Sequence, residues 1–197
     1  MKQRRRMPPD IRRRQILDTA VGIFYDIGFE GASLRDLANK VGINKATLYH
    51  YFESKEEILF QILDEVGQSL LGGLEEARRV STDPLECLKA MVRFQIYYME
   101  ANLEGIKVLV EEQKCLGNEL ADKTREVQDQ ILKLYESVLT DCMKAGRVRN
   151  LHLATTAFAI LGQINWLYHW YNPDGSLSIR NVADEVMTIL FDGLSIN

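Results

Sequence analysis

The sequence predicts an all-helical protein of about nine helices. Three observations predict this fold class. Apolar residues recur three and four positions apart through most of the chain, which is the period of an amphipathic helix. Alternating runs of β-branched residues, which are typical of strands, are nearly absent. Capping residues and glycines divide this pattern into separate helices. The length of 197 residues suffices for one domain or for a small module joined to a larger one.

Capping residues separate four helices in the first third of the chain. Gly28 and Gly42 end the first two, because glycine readily adopts the positive φ that stops a helix. Ser33, Asn44 and Ser54 are the residue types that cap helix starts, and an acid three residues after Ser54 completes a capping box. The predicted spans are residues 10–27, a helix of about eight residues after Ser33, a short helix from Asn44 through Tyr51, and a long helix from Ser54.

Two short helices joined at Gly42 form the helix-turn-helix pattern. Ala38 is small enough to let the helices cross closely, and Ile43 and Leu48 fill the junction. An ordinary helical hairpin has the same pattern, so the pattern alone leaves both interpretations open. The second of these helices also carries short or planar hydrogen-bonding side chains away from Leu48. A recognition helix in a DNA major groove needs such side chains, so they favour DNA as the partner.

Charge is distributed unevenly along the chain. The formal net charge is −4, yet residues 1–60 carry +3 and residues 61–197 carry −7. Residues 1–14 hold seven Lys and Arg against one Asp. A basic front on an acidic body suggests that only the front meets a polyanion. A solubilising tail is an equally good interpretation of the N-terminus, and a membrane-surface role is weaker because no apolar residues are interleaved.

Several function classes lack their sequence signatures. No apolar run reaches the ~18 residues that a membrane span needs, and no secretory signal is visible at the N-terminus. The three cysteines, Cys87, Cys115 and Cys142, form neither a disulfide framework nor a zinc motif. No nucleophile elbow, phosphate loop or paired histidine motif is present. We therefore expect no enzyme, no cofactor, no metal and no membrane partner, in a reducing, cytoplasmic location.

Residues 11–60 resemble the DNA-binding domain of the tetracycline-repressor (TetR) family. The resemblance rests on Ser33-Leu34-Arg35-Asp36-Leu37-Ala38, on the run from Val41 to Phe52 and on Ser54-Lys55-Glu56-Glu57. It implies a dimeric, ligand-responsive transcriptional regulator, usually a repressor, that binds double-stranded operator DNA. By position, it places Lys45, Ala46, Thr47 and Tyr49 at the groove, and Ser33, Arg35, His50, Tyr51 and Lys55 near phosphates.

Alternatives remain for some of these positions. In the alternative interpretations, Tyr51 packs between helices and His50 is a solvent-exposed ring without a role. The resemblance also gives the basic arm a meaning, because N-terminal extensions in this family can lie along the duplex. Arg4, Arg5 and Arg6 would then enter the flanking minor groove or neutralise phosphates.

The predicted domain division places the DNA-binding domain at residues 1–54 and a helical ligand-binding and dimerisation domain at residues 55–197. The predicted helix from Leu151 to Tyr171 is apolar around much of its girth, so we expect it to be buried on two sides. In the family, the last two helices commonly form an intersubunit bundle. The resemblance therefore implies a homodimer through these helices and a palindromic operator.

The segment 162–175 resembles family members that sense long-chain acyl-CoA or other CoA thioesters. This resemblance implies an apolar tunnel and polar groups for the thioester, pantetheine and phosphates. The candidates are Met91, Phe94, Tyr98, Met99 and Trp166 for the tunnel, Gln163, Asn165 and His169 for the thioester or amides, and Lys107, Arg93, Lys114 or Arg125 for phosphate.

Each effector candidate has a structural alternative. Met and aromatic residues at helical spacing also form ordinary cores, and Trp166 and Trp170 would also seal a dimer seam. His169 would also serve as a structural hydrogen-bonding residue. An aromatic or drug-like effector is the main competitor to a CoA thioester, and an activator is the alternative to a repressor.

Overall fold

A computed structural model describes residues 8–194. It holds ten α-helices in these residues and no β-strand among them. In chain order the helices are α1 (Pro9–Gly31), α2 (Leu34–Val41), α3 (Lys45–Tyr49), α4 (Lys55–Ala77), α5 (Pro84–Ala101), α6 (Leu103–Glu112), α7 (Asn118–Lys144), α8 (Leu153–Asn165), α9 (Leu167–Trp170) and α10 (Ile179–Leu194). The predicted all-helical class is confirmed.

The predicted caps form the predicted hydrogen bonds. The side-chain oxygens of Ser33, Asn44 and Ser54 each accept a bond from the backbone N–H three residues ahead, at 3.1, 2.7 and 3.0 Å. Gly28 and Gly42 have φ of +73° and +77°. Gly28 interrupts the helical geometry of α1 three residues before its end, and Gly42 closes α2. The local signals in the sequence therefore set these boundaries.

Two predicted helices end earlier than expected, for the same reason. The helix predicted through Tyr51 ends at Tyr49, because the N–H groups of His50 and Tyr51 bond to carbonyls three residues back. The helix predicted from Leu151 to Tyr171 divides at Trp166 into α8 and α9. There the carbonyl of Trp166 accepts from the N–H of His169, which tightens the turn.

The chain forms two compact units, each with its own core. The first comprises the described residues up to 66 together with 104–124, and the second comprises residues 67–103 with the described residues from 125 onwards. The first core gathers side chains of α1 to α4 around Leu48, together with Val108 and Leu116. The second contains fully buried Leu88, Met91 and Tyr135. The predicted boundary after residue 54 separates DNA binding from ligand binding and dimerisation, and it stays a prediction.

Helix α4 is shared between the two units, since the division falls after Val66 in its middle. No helix in residues 8–194 is long and apolar enough to cross a membrane. The arginines Arg4, Arg5 and Arg6 of the predicted arm lie outside the described residues.

Candidate functional site

Helix α3 is anchored on one side and open on the other. Leu48 is 1% exposed and belongs to the first core, against which Ile43 also packs. Asn44 fixes the helix start, because its Oδ1 accepts bonds from the N–H of Thr47 at 2.7 Å and from the Thr47 hydroxyl at 2.9 Å. The helix is thus held at its N-terminus and along its inner side.

The outer side of α3 carries most of the predicted groove residues. Lys45, Ala46, Tyr49 and the following His50 are exposed, and Thr47 is half-buried. Tyr49 keeps 46% of its surface exposed, although it is a large aromatic residue. The Nζ of Lys45 lies 5.6 Å from the centre of the Tyr49 ring. A cation and a phenol are thereby presented together, and such groups contact phosphates and base edges.

Ser33 and Arg35 open helix α2. The Ser33 hydroxyl is used for capping, since it accepts from the N–H of Asp36 and donates to the carboxylate of the same residue. Arg35 is exposed in the first helical turn. Ser33 and Arg35 are both predicted to lie near phosphates, and Arg35 is the one of these two that presents an exposed cation.

Lys55 and Tyr51 point inward rather than outward. The Lys55 ammonium donates to the backbone carbonyls of Phe29 at 2.7 Å and Ala32 at 3.0 Å, and it lies 4.1 Å from the centre of the Phe29 ring. Tyr51 is half-buried and packs against the first core. This position favours the packing alternative for Tyr51. The phosphate role of both residues stays a prediction.

Arg13 is a positioning residue at the start of α1. Its guanidinium donates to the carbonyl of Tyr51 at 2.6 Å and lies 4.3 Å from the centre of the Phe52 ring. A second nitrogen lies 3.8 Å from the carboxylate of Glu57. Arg13 therefore links α1 to the turn between α3 and α4, and its spacing in an arginine run gave no signal of this contact.

The predicted effector residues of α5 line the interior of the second unit. Met91, Met99 and Tyr98 are 0%, 2% and 9% exposed. Burial raises the pKa of the Tyr98 phenol. Phe94 is half-buried, and its ring packs on α4 at Gly73, where an added Cβ would lie 1.9 Å from the ring Cζ.

The predicted effector residues of α8 and α9 lie on the surface. Gln163, Asn165, Trp166 and His169 are all exposed, and Trp166 keeps 56% of its surface accessible. The rings of Trp166 and His169 pack edge to face with their centres 4.5 Å apart. The structure therefore does not gather the eight candidates into one group. Asn165 is connected to the interior, as its Oδ1 accepts from the side chain of Gln95.

Gln95 is a polar residue at the centre of the second core. It is 1% exposed, and its Oε1 accepts a hydrogen bond of 2.8 Å from the hydroxyl of Tyr135, which is fully buried. Burial also raises the pKa of the Tyr135 phenol. The sequence position of Gln95 indicates that it is buried, because Gln95 stands between Met91 and Met99 on the apolar stripe of α5.

The cations predicted for phosphate binding are divided between the units. Arg93 of the second unit pairs with Asp184 at 2.8 Å, and this pairing raises its pKa. Lys107 of the first unit lies 4.5 Å from the ring centre of Tyr25. Within residues 8–194, no group of three His, Cys, Asp or Glu side chains is arranged to hold a metal ion.

Helices α8 to α10 present an apolar surface. Large side chains with about half or more of their area exposed are Phe158 at 60%, Trp166 at 56%, Trp170 at 50%, Leu177 at 48% and Ile189 at 63%. A groove of about 490 Å³ lies between α8 and α10, lined by side chains such as Ala159, Ile160 and Leu190. A patch of this kind is typical of a protein–protein interface.

Two protein-family models match the chain. One is described as bacterial regulatory proteins of the tetR family and matches residues 16–62. The other is described as a tetracyclin repressor-like C-terminal domain and matches residues 81–194. The two matches cover the helix-turn-helix and the whole described part of the second unit from residue 81 onwards.

Full-length relatives agree with these matches. The HTH-type transcriptional repressor KstR2 of Rhodococcus jostii is 30% identical over 93% of this chain and 91% of its own. The crystal structure of PfmR from Thermus thermophilus is 31% identical, with a TM-score of 0.86 over 92% of this chain and 99% of its own. AibR, crystallised with isovaleryl coenzyme A and operator DNA, is 27% identical to this chain. Its TM-score is 0.85, and the match covers 91% of this chain and 98% of AibR.

Proposed function

The chain belongs to the tetracycline-repressor family of transcriptional regulators, and from this premise we propose that it is a cytoplasmic, dimeric repressor released from its operator by a hydrophobic small molecule. The effector class that we propose is a CoA thioester such as a long-chain acyl-CoA. The observation that carries the DNA-binding half is the outer side of α3, with Lys45, Ala46 and Tyr49 exposed above the buried Leu48.

DNA recognition would follow from insertion of α3 into a major groove. Lys45, Thr47 and Tyr49 would contact base edges and the adjacent backbone, while Arg35 and His50 would contact phosphates. The side chain of Ala46 is a single exposed methyl group, which would let the helix backbone approach the bases closely. Lys55 and Tyr51 would act mainly by holding α3 in place, since their side chains are directed toward the core.

Dimer formation would cover the apolar surface of α8 to α10. Burial of Phe158, Ile189 and Trp166, each more than half exposed in the single chain, would supply a hydrophobic interface centre. A two-fold dimer places two copies of α3 on one face of the DNA. Such a dimer reads a palindromic operator whose half-sites lie ~34–36 Å apart.

The proposed effector class rests on chemistry and on one relative. Met91, Met99 and Tyr98 of α5 form an apolar interior, and methionine side chains repack readily around ligands of different shape. AibR was crystallised with isovaleryl coenzyme A, which joins a short acyl chain to the CoA thioester. An apolar interior with a few polar groups suits the acyl end of such a molecule.

Release would be transmitted through α4. This helix runs from Lys55, beside the helix-turn-helix, to Ala77, and thus contributes to both compact units. An effector that packs against α5 would displace Phe94, which contacts α4 at Gly73, and so change the spacing of the two recognition helices. The effector acts only through its different affinity for the two states, and ~1–3 kcal/mol of coupling weakens operator binding about 5- to 150-fold.

The deciding experiment is fluorescence anisotropy with labelled DNA from upstream of this protein's own gene. The complex is challenged with palmitoyl-CoA, isovaleryl-CoA, free CoA and palmitate, each below its micelle threshold. Release by a CoA thioester, but not by free CoA or palmitate, supports the proposal. Firm DNA binding that no thioester disturbs would refute the effector class and favour an aromatic or drug-like ligand.

Repression and activation are separated by a reporter assay. A promoter fragment that carries the operator is fused to a reporter gene and tested with and without this chain. Higher expression in the absence of the chain is the expected result. Lower expression in its absence would show an activator.

A further inference from the structure

Three polar side chains form a hydrogen-bonded row from the core of the second unit to its surface. The Tyr135 hydroxyl donates to Gln95 Oε1 at 2.8 Å, and Gln95 Nε2 donates to Asn165 Oδ1 at 3.1 Å. Tyr135 and Gln95 are 0% and 1% exposed, whereas Asn165 is exposed. Tyr135 and Gln95 therefore need hydrogen-bond partners from the protein or a ligand, whereas Asn165 can form hydrogen bonds with water.

The surroundings of Gln95 make its two hydrogen bonds necessary. Its neighbours along α5, Met91, Val92, Ile96 and Met99, are between 0% and 2% exposed. Burying an amide among apolar groups is unfavourable unless each polar atom is hydrogen-bonded, and a leucine or methionine would fill the same volume without that cost. A few polar groups set in an otherwise apolar interior are the usual arrangement of a small-molecule site.

Asn165 is the replaceable partner in this row. It is the last residue of α8, directly before the break at Trp166. Because Asn165 is exposed, its amide regains water when the bond to Gln95 breaks. Gln95 has no such access, so its Nε2 requires another acceptor at that position.

We propose that Gln95 is the residue that recognises the carbonyl oxygen of the effector, which replaces Asn165 Oδ1 as the acceptor of the Gln95 Nε2–H. Tyr135 holds the Gln95 amide in the orientation that this bond requires. Met91 and Met99 repack around the adjoining chain of the ligand. The site thus selects an apolar acyl chain that ends in a thioester carbonyl, and this assignment rests on the proposed effector class.

The exchange also links the ligand to the helix break. In the free protein the Gln95–Asn165 bond ties the end of α8 to α5. When the carbonyl takes the place of Asn165, this tie is released at the junction of α8 and α9. The aromatic surface that begins with Trp166 is then free to move relative to α5.

The test compares matched ligands that differ only in the carbonyl. Release of labelled operator DNA is titrated with palmitoyl-CoA and with S-hexadecyl-CoA, the thioether in which a methylene replaces the carbonyl. The wild-type protein should respond to the thioester at about two- to tenfold lower concentration than to the thioether, which is the range expected for one hydrogen bond. Gln95→Met, which keeps the volume but removes both polar atoms, should respond to both ligands at the same concentration.

For a second variant, we expect a lower concentration of palmitoyl-CoA to release the DNA. Asn165→Ala removes the competing acceptor, so release by palmitoyl-CoA should need less ligand than in the wild type. If Asn165 contacted the ligand directly, the same substitution would raise the required concentration. Because Asn165 is exposed, this variant keeps the test informative even where Gln95→Met folds poorly. Gln130→Met, at an exposed glutamine of α7, is the matched control and should behave as wild type.

The outcomes separate the two proposals. A wild-type complex that no CoA thioester releases would overturn the proposed effector class and this assignment with it. A wild type that responds to palmitoyl-CoA, while Gln95→Met retains the full preference for the thioester over the thioether, would overturn the role of Gln95 alone. Weaker response of Asn165→Ala would also overturn the exchange.

Discussion

The side-chain ammonium of Lys55 donates a hydrogen bond of 2.7 Å to the backbone carbonyl of Phe29. It donates a second bond to the carbonyl of Ala32 and lies over the Phe29 ring. These contacts join the start of α4 to the last turn of α1 and to the segment that follows it. Lys55 therefore fixes the frame of the helix-turn-helix, whatever further contact it makes with DNA.

Removal of this ammonium should destabilise the protein in the absence of DNA. Lys55→Met removes the bond to the Ala32 carbonyl and one of the two bonds to the Phe29 carbonyl, which still accepts from the Ala32 N–H. We expect a loss of about 1–3 kcal/mol in the free energy of unfolding. Urea titration followed by circular dichroism measures this loss. Lys40→Met, at an exposed lysine of α2, is the control and should change stability little. An unchanged unfolding midpoint for Lys55→Met, combined with weaker DNA binding, would instead assign Lys55 to phosphate contact.

Substitutions on the outer side of α3 should affect specific and non-specific DNA affinity differently. Tyr49→Ala should lower operator affinity while leaving affinity for unrelated DNA almost unchanged, because base-edge contacts carry sequence information. Lys45→Ala should weaken both and reduce the slope of log affinity against log salt by about one. Anisotropy titrations at several salt concentrations measure both quantities. Equal loss on both DNAs for Tyr49→Ala would contradict its placement in the groove.

Local chemistry explains why the helices were predictable. Ser33, Asn44 and Ser54 cap through bonds to residues three positions ahead, and Gly42 closes α2 by its own φ. Each of these interactions lies within a few residues of sequence. The contacts of Lys55 with Phe29 and of Gln95 with Tyr135 join residues 26 and 40 positions apart, and only the tertiary packing brings these pairs together. Helical periodicity also continued without change through Trp166, where the structure has a break.

The apolar surface of α8 to α10 should control the oligomeric state. Phe158→Asp places a charge on a side chain that is 60% exposed in the single chain, so folding of the chain should tolerate it while a hydrophobic dimer interface should not. Sedimentation velocity should show a shift from dimer to monomer, with weaker operator binding. Gln130→Asp on the exposed side of α7 is the control. A Phe158→Asp protein that remains dimeric would place the interface elsewhere.

Thiol reactivity should distinguish the cysteines by burial. Cys142 is 0% exposed, and burial raises its pKa to about 11. Since the thiolate is the reactive form, only about one molecule in a thousand would be ionised at pH 8 at this position. Cys115 is half-buried and should therefore react first with iodoacetamide in the native protein. Mass spectrometry of timed samples measures the order, and early modification of Cys142 would contradict the packing of α7.

Two adjacent glycines of α4 offer the sharpest test of the contact through which release is proposed to pass. An added Cβ at Gly73 would lie 1.9 Å from Cζ of Phe94, whereas one at Gly72 has no atom within 4 Å. Gly73→Ala should therefore destabilise the protein by about 1–3 kcal/mol through overpacking. Gly72→Ala should stabilise it by up to about 1 kcal/mol, because alanine favours the helix.

The double variant Gly73→Ala with Phe94→Leu decides whether Phe94 is the cause. The smaller leucine removes the ring that the new methyl group meets, so the double variant should recover stability relative to Gly73→Ala alone. Non-additivity of the two changes is the expected sign of direct contact. Thermal unfolding of the four proteins completes the cycle. If Gly73→Ala is no more harmful than Gly72→Ala, then α4 and α5 do not meet at this point, and release through Phe94 loses its physical basis.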